Sequence, residues 1–202
     1  MTAAILSGGE NTRMPVLKGF LEVDGRTILS RSLELLKRVF RNVVINTNMP
    51  ERYFSFGVPL KGDIRNERGP MTGILSLLAG TGDDSVFVVA CDMPFINEEL
   101  IRYMVDCYER QGARGEGQAD AVIPVFRGKP EPLLGIYSRS AIMVLEEEVR
   151  KGKRGIQETL TKLNVLYITD EEVRRIDPEG LSFVNINTIN DYERIGGNLC
   201  LG

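Results

Sequence analysis

The chain has 202 residues, with 25 lysines and arginines against 28 aspartates and glutamates, and no histidine. That length suits a substantial core, and residues 1–202 are read as a single domain. A net charge of −3 argues against a general polyanion binder, so no nucleic-acid partner is expected and any phosphate site must be a local cluster. The lack of histidine removes Ser-His-Asp and Cys-His catalysis and imidazole metal sites.

Strand and helix signals then alternate along the chain. Ala3–Leu6 is a short apolar run that opens into Ser7-Gly8-Gly9 and a polar segment holding Arg13 and Lys18. Residues 27–40 space apolar side chains at helical intervals with cations outward. Val43–Asn46 is β-branched, and Gly69-Pro70 starts a small-residue helix over 71–79. Ser85–Ala90 reads as the most buried strand, and 97–110 as a helix capped by Asn97 with Glu98 and Glu99 in its first turn. Strands are expected at 121–125, 133–137, 165–168 and 182–186, and helices at 138–150, 155–163 and 188–195. Residues 112–117 read as a glycine-rich surface loop, and there is no internal repeat. Such alternation implies an α/β fold, a mostly parallel central sheet with helices on both faces. Ligands of such sheets bind at the carboxyl ends of strands near the switch in strand order, which selects the loops after Leu6, Asn46, Ala90 and Ile186.

Cys91, Cys107 and Cys200 are odd in number and form no C-x-x-C pair. They read as reduced thiols of a cytoplasmic protein. No apolar run has membrane-spanning length, and the first residues lack a secretory pattern, so no membrane partner is expected.

Catalysis therefore falls to carboxylates, cations, backbone amides or a hard metal ion. Paired glycines after the first strand let a backbone approach a ligand closely, and Arg13 and Lys18 can meet anionic oxygens. The loop fits neither the P-loop nor the G-x-G-x-x-G fingerprint. A tight βα turn with solvated charges explains it equally well. Asp92 stands at the tip of a buried strand, where a carboxylate suits Mg²⁺; a turn aspartate before Pro94 is the plain alternative. Asn185 and Asn187 alternate in a run expected to be a strand, and so face one side. Their amides suit a metal, a ribose or a phosphate, or Asn187-Thr188 simply caps the last helix. Asn46, Asn48 and Asp63 read on their own first as turn residues, and only second as contacts to a base or ribose.

In this order the pieces resemble one family, the molybdenum cofactor guanylyltransferases. Leu6-Ser7-Gly8-Gly9, Arg13-Met14 and Lys18 are similar to its L-A-G-G, R-M and lysine, and Gly69-Pro70-Met71-Thr72-Gly73 to its G-P-L-A-G. Cys91-Asp92-Met93-Pro94 is similar to C-D-x-P, and Pro130-Glu131-Pro132-Leu133 to P-E-P-L. Phe183-Val184-Asn185-Ile186-Asn187-Thr188, followed by Asp191, resembles F-x-N-x-N-T-x-x-[DE]. The resemblance runs from residue 3 to about 195. It implies a Rossmann-like nucleotidyltransferase fold that transfers GMP from GTP to molybdopterin with Mg²⁺ as cofactor, releasing pyrophosphate. It places GTP on Leu6, Ser7, Gly8 and Gly9, the phosphates on Lys18 and Arg13, guanosine near Asn46 and Asp63, and Mg²⁺ on Asp92. It leaves Asn185 and Asn187 to position the metal or molybdopterin. Arg127, Lys129 and Arg154 are further candidates for the acceptor's phosphate. The implied partners are GTP, molybdopterin, and other cofactor-biosynthesis proteins or acceptor apoenzymes. Two positions depart from the family's R-M-G-x-D-K: Pro15 replaces the glycine and Leu17 the aspartate. A cytidylyl- or sugar-phosphate nucleotidyltransferase of the same fold, or a nucleotide-binding protein without turnover, are the competing readings. Gly8, where cytidylyl relatives carry alanine, leaves room for a purine edge.

Overall fold

A computed structural model of the chain describes residues 1–8, 16–113 and 117–196. Its strands are β1 (Thr2–Leu6), β2 (Glu22–Val23), β3 (Arg26–Thr27), β4 (Asn42–Asn46), β5 (Leu60–Lys61), β6 (Ser85–Ala90), β7 (Ala121–Phe126), β8 (Lys129–Pro130), β9 (Leu134–Ser138) and β10 (Val165–Ile168). The helices are α1 (Ile28–Val39), α2 (Pro70–Gly80), α3 (Glu98–Ala113), α4 (Ile142–Arg150), α5 (Asp170–Ile176) and α6 (Ile189–Arg194). The main sheet runs β10-β7-β9-β6-β1-β4-β5, with β8 paired to β7, and β2 and β3 form a separate hairpin. Its pairings are parallel except around β9, which runs against both β6 and β7, and at β8. The resulting architecture is the mostly parallel, Rossmann-like sheet expected from the alternation of elements.

Side chains alternate across the sheet, as a period of two requires. Ala3, Ile5, Ile45, Phe87 and Val89 face one layer with Leu29, Leu36, Leu100 and Met104 of α1 and α3. Ala4, Leu6, Val44, Val86 and Val88 face the other, with Ile74, Leu77 and Leu145 of α2 and α4. Both faces are thus covered by helices. Leu6 is level with Asn46 on one side and Ala90 on the other. The carboxyl ends of β1, β4 and β6 therefore finish together. The chain leaves β1 toward β4 and returns to β6 on β1's other side, so the switch in strand order falls there.

Helices begin where local chemistry satisfies their free N–H groups. Thr27 accepts from Ser30 N at 3.1 Å, and Asn97 Oδ1 accepts from Glu99 N and Leu100 N at 2.8 and 3.2 Å. Two expectations are corrected. Residues 182–186 are not a strand: a single 3-10 turn covers Leu181–Phe183, and the extended residues after it join no sheet. Residues 155–163 are not an α-helix but end in a 3-10 turn, Thr159–Lys162. Residues 170–176, for which no element was expected, form α5 behind a capping box of Thr169 and Glu172. No helix among the described residues is long and apolar enough to cross a membrane.

Candidate functional site

Because β1, β4 and β6 end level, the residues that follow them are neighbours. Ser7 N donates to Asn46 O at 2.9 Å, and Cys91 N donates to Leu6 O at 3.1 Å. Ser7 is buried, and its Oγ donates to the phenol oxygen of buried Tyr53 at 2.8 Å. Gly8 is exposed, and a Cβ there would meet nothing within 4 Å. Gly9 and Arg13 lie outside the described residues, as does Pro15.

Lys18 is held in place by its flanks. Leu17, where the resembled family carries an aspartate, packs its side chain against the core layer of α1 and α3. A Cβ on buried Gly19 would sit 3.4 Å from Cys91 Cβ, so the chain runs tight against the tip of β6. Phe20 lies with its ring centroid 5.4 Å from that of Tyr53. With the backbone anchored, Lys18 Nζ reaches Asp92 Oδ2 at 2.8 Å and Asn187 Oδ1 at 2.6 Å. An ammonium has three N–H donors, so one remains for a ligand.

Asn187 arrives there by two devices. Ile186 N donates to Asp92 O at 3.0 Å, tying the segment to the tip of β6. A capping box then opens α6: Thr188 accepts from Asp191 N, and Asp191 Oδ2 accepts from Thr188 N at 2.9 Å and from Asn187 N at 3.1 Å. The capping reading of Asn187-Thr188 is realised, and it leaves the Asn187 side chain to meet Lys18. The two asparagines take different partners. Asn187 meets Lys18, whereas Asn185 lies near enough to the Glu131 carboxylate to stabilise its charged form.

Burial pushes the Glu131 carboxyl above its usual range, and the charge of Asp92 adds to that shift, while Leu133 N–H and Asn185 oppose it. Burial also pushes the Cys91 thiol up to about 11, so it stays neutral and unreactive near pH 7. The site thus offers no thiolate nucleophile.

On the other flank, Asn46 Nδ2 donates to Lys61 O at 3.1 Å and to Asp63 Oδ1 at 3.2 Å. Asn48 Nδ2 donates to Asp63 Oδ2 at 2.7 Å and Asn48 Oδ1 accepts from Asp63 N at 2.8 Å. A Cβ on Gly73 of α2 would fall 2.6 Å from Asn46 Oδ1, so only glycine lets α2 approach this amide.

The structure brings together Leu6, Ser7, Asn46, Asp63, Lys18, Asp92, Asn185 and Asn187. Of the further candidates, Lys129 and Arg154 are exposed. The Arg127 guanidinium lies 5.1 Å from the Phe126 ring. Two contributors were absent from the sequence reading as site residues. Glu131 lies in Pro130-Glu131-Pro132-Leu133, a segment that the resemblance marked without giving Glu131 a role, and Tyr53 lies in a loop without periodicity.

Among the described residues, no three Cys, Asp or Glu side chains group to hold a metal by themselves. The donors at the tip of β6 are hard oxygens, one carboxylate with amide oxygens beside it. That set fits Mg²⁺ carried mainly by phosphate oxygens and water, and does not fit a soft metal.

The family described as "MobA-like NTP transferase domain" matches residues 3–166. A probable molybdenum cofactor guanylyltransferase of Peptoclostridium acidaminophilum is 33% identical over 193 residues, covering 96% of this chain and 87% of its own. The molybdenum cofactor guanylyltransferase of Desulfosudis oleivorans is 33% identical over 195 residues, with 96% and 93% covered. Among solved structures, molybdopterin-guanine dinucleotide biosynthesis protein A of Archaeoglobus fulgidus superposes with a TM-score of 0.80 at 31% identity, covering 96% of each chain. A cytidylyltransferase of Leptospira borgpetersenii, at 22% identity and a TM-score of 0.67, shares the fold.

Proposed function

The chain belongs to the MobA-like NTP transferase family and is a nucleotidyltransferase, and from that premise we propose that it transfers GMP from GTP to molybdopterin. The product is molybdopterin guanine dinucleotide, and the enzyme is read as a single domain working in the cytoplasm and supplying acceptor apoenzymes. The observation that carries the reading is the meeting of Lys18, Asp92 and Asn187 at the switch point, from loops far apart in sequence. The named substrates of the relatives support it.

A terminal phosphate oxygen of molybdopterin attacks the α-phosphorus of GTP. A new P–O bond forms, the bond from the α-phosphorus to the bridging oxygen breaks, and pyrophosphate leaves. A phosphate monoester is already nucleophilic, so a chain without histidine loses nothing; the work is positioning and charge stabilisation. Lys18 directs its third N–H to the triphosphate and, with Arg13, offsets charge on the leaving pyrophosphate. Leu6, Ser7, Gly8 and Gly9 give the backbone wall against the nucleotide, with guanosine toward Asn46 and Asp63. Asp92 holds Mg²⁺, and Asn185 and Asn187 position the metal, the pterin or its phosphate. Bound Mg²⁺ neutralises triphosphate charge.

The test is pyrophosphate release from GTP, molybdopterin and Mg²⁺. Asp92→Ala is expected to reduce it by about 10³-fold or more while thermal unfolding stays unchanged. Full activity in that variant would remove the metal role, and equal use of CTP would favour the cytidylyl reading.

A further inference from the structure

We propose that Asn48 is a specificity-determining positioning residue: through Asp63 it locks the Asn46 amide with its oxygen toward the nucleotide, and so selects guanine. The proposal rests on the reading above in one respect, that the base of the nucleotide lies at the end of β4.

The lock follows from which atoms can only donate and which can only accept. Asp63 N–H can only donate, and Asn48 receives it at 2.8 Å, so the atom facing it is Asn48 Oδ1. Asn48 Nδ2 must then face the Asp63 carboxylate, and does so at 2.7 Å. That carboxylate and the Lys61 carbonyl are both acceptors, at 3.2 and 3.1 Å from Asn46 Nδ2. Turning the Asn46 amide over would set its oxygen against two acceptors. The orientation of Asn46 is therefore held from two sides, by the Lys61 carbonyl directly and, through Asp63 and Asn48, by a main-chain N–H two hydrogen-bonded side chains away.

Asn46 is 3% exposed. Its Oδ1 accepts from none of the described residues, and it lies against Gly73 of α2, where a Cβ would come within 2.6 Å of it. An unpartnered amide oxygen of fixed direction, on a buried residue but itself still reachable from solvent, is a receptor for an N–H. The Watson–Crick edge of guanine offers N1–H and an amino group, whereas adenine offers an acceptor at N1. Guanine satisfies this oxygen and adenine N1 opposes it, which is discrimination by repulsion as well as attraction. Asp63 acts on the base through Asn46 in this scheme.

The experiment measures equilibrium binding of GTP and ATP with Mg²⁺, without acceptor, alongside thermal unfolding. Wild type is expected to prefer GTP. In Asp63→Asn, the introduced amide must turn its oxygen to Asn48 and its NH₂ to Asn46, where it opposes the Asn46 NH₂, so the Asn46 amide is pulled one way by Lys61 O and the other way by the new NH₂ and loses its fixed direction. The GTP-to-ATP preference is expected to fall about tenfold or more. Adding Asn48→Asp returns an acceptor to that side, turns the introduced amide back, and is expected to restore the preference. Asn48→Ala leaves Asp63 and Asn46 in place but frees them, and is expected to weaken the preference to an intermediate value, which serves if Asp63→Asn does not fold. If wild type binds no GTP, the reading of the site fails and the lock with it. If wild type prefers GTP and Asp63→Asn keeps that preference, or the double variant does not recover it, the lock alone is overturned.

Discussion

Glu148, near the end of α4, and Asp92, at the tip of β6, both meet lysine ammonium groups, under opposite terms. Glu148 is 1% exposed and is contacted by Lys162 at 2.6 Å and by Lys151 and Lys153 at 3.3 Å. Chiefly through the Lys162 hydrogen bond, its carboxyl is held down to about 2. Asp92 has one lysine, Lys18 at 2.8 Å, and the two side chains keep 17% and 22% of their surface. Three cations on one carboxylate over-determine its position, so losing one leaves the tie intact. One cation shared between a carboxylate and an amide is under-determined, so it can exchange partners when phosphate arrives. The first arrangement ties the segment Lys151–Lys162 to α4; the second is suited to chemistry.

Four measurements sharpen or break this contrast. Lys18→Met is expected to lower kcat/KM by about 10² to 10³ with thermal unfolding unchanged. A clear fall in melting temperature would make Lys18 structural and erase the distinction. Gly73→Ala pushes a methyl toward Asn46 Oδ1, and is expected to weaken GTP binding by about tenfold, read by titration. Glu148→Ala strands the three lysines and is expected to lower the melting temperature while kcat/KM stays near wild type. Any matching loss of activity would tie α4 to the site. The acid limb is the smallest effect. The Glu148 pKa is depressed on folding from 4.5 to about 2, so its contribution is full above 4.5 and is lost as pH falls toward 2. Glu148→Gln is expected to flatten melting temperature against pH in that window alone.

Much of the molecule was legible in the sequence, for reasons that also explain the failures. The strands β1 and β6 are buried on both faces and announce themselves as apolar runs. The helices α1 and α3 carry apolar stripes. Three of the loops chosen by the strand-end rule do lie side by side, because Leu6, Asn46 and Ala90 finish level, while Ile186 ends no strand. Asn185 and Asn187 were singled out on a mistaken structural premise. Alternation in a strand was the reason given, but the segment is pinned by one hydrogen bond to Asp92 O and by the start of α6. The helix α5 was missed because a surface helix with Val173 as its buried residue has little periodicity, although Thr169 and Glu172 have capping-box spacing. The roles of Glu131 and Tyr53 depend on contacts across the fold, which no local pattern encodes. Leu17 looked like a loss of a charge; in the structure it is an apolar anchor that sets Lys18.

The antiparallel strand β9 has a further consequence. A parallel strand brings its end to the site, but β9, reversed between β6 and β7, brings its beginning. Ala90 N donates to Leu133 O at 2.9 Å just ahead of it, which brings Glu131 to the same end of the sheet as Asp92, within reach of its charge. The short hairpin from β7 into β9 is thus an interchangeable part. Lengthening or rewriting it remodels one wall of the cleft while strand order, helices and the nucleotide-facing ends of β1 and β4 stay untouched. A protein engineer seeking a new acceptor would start with that hairpin.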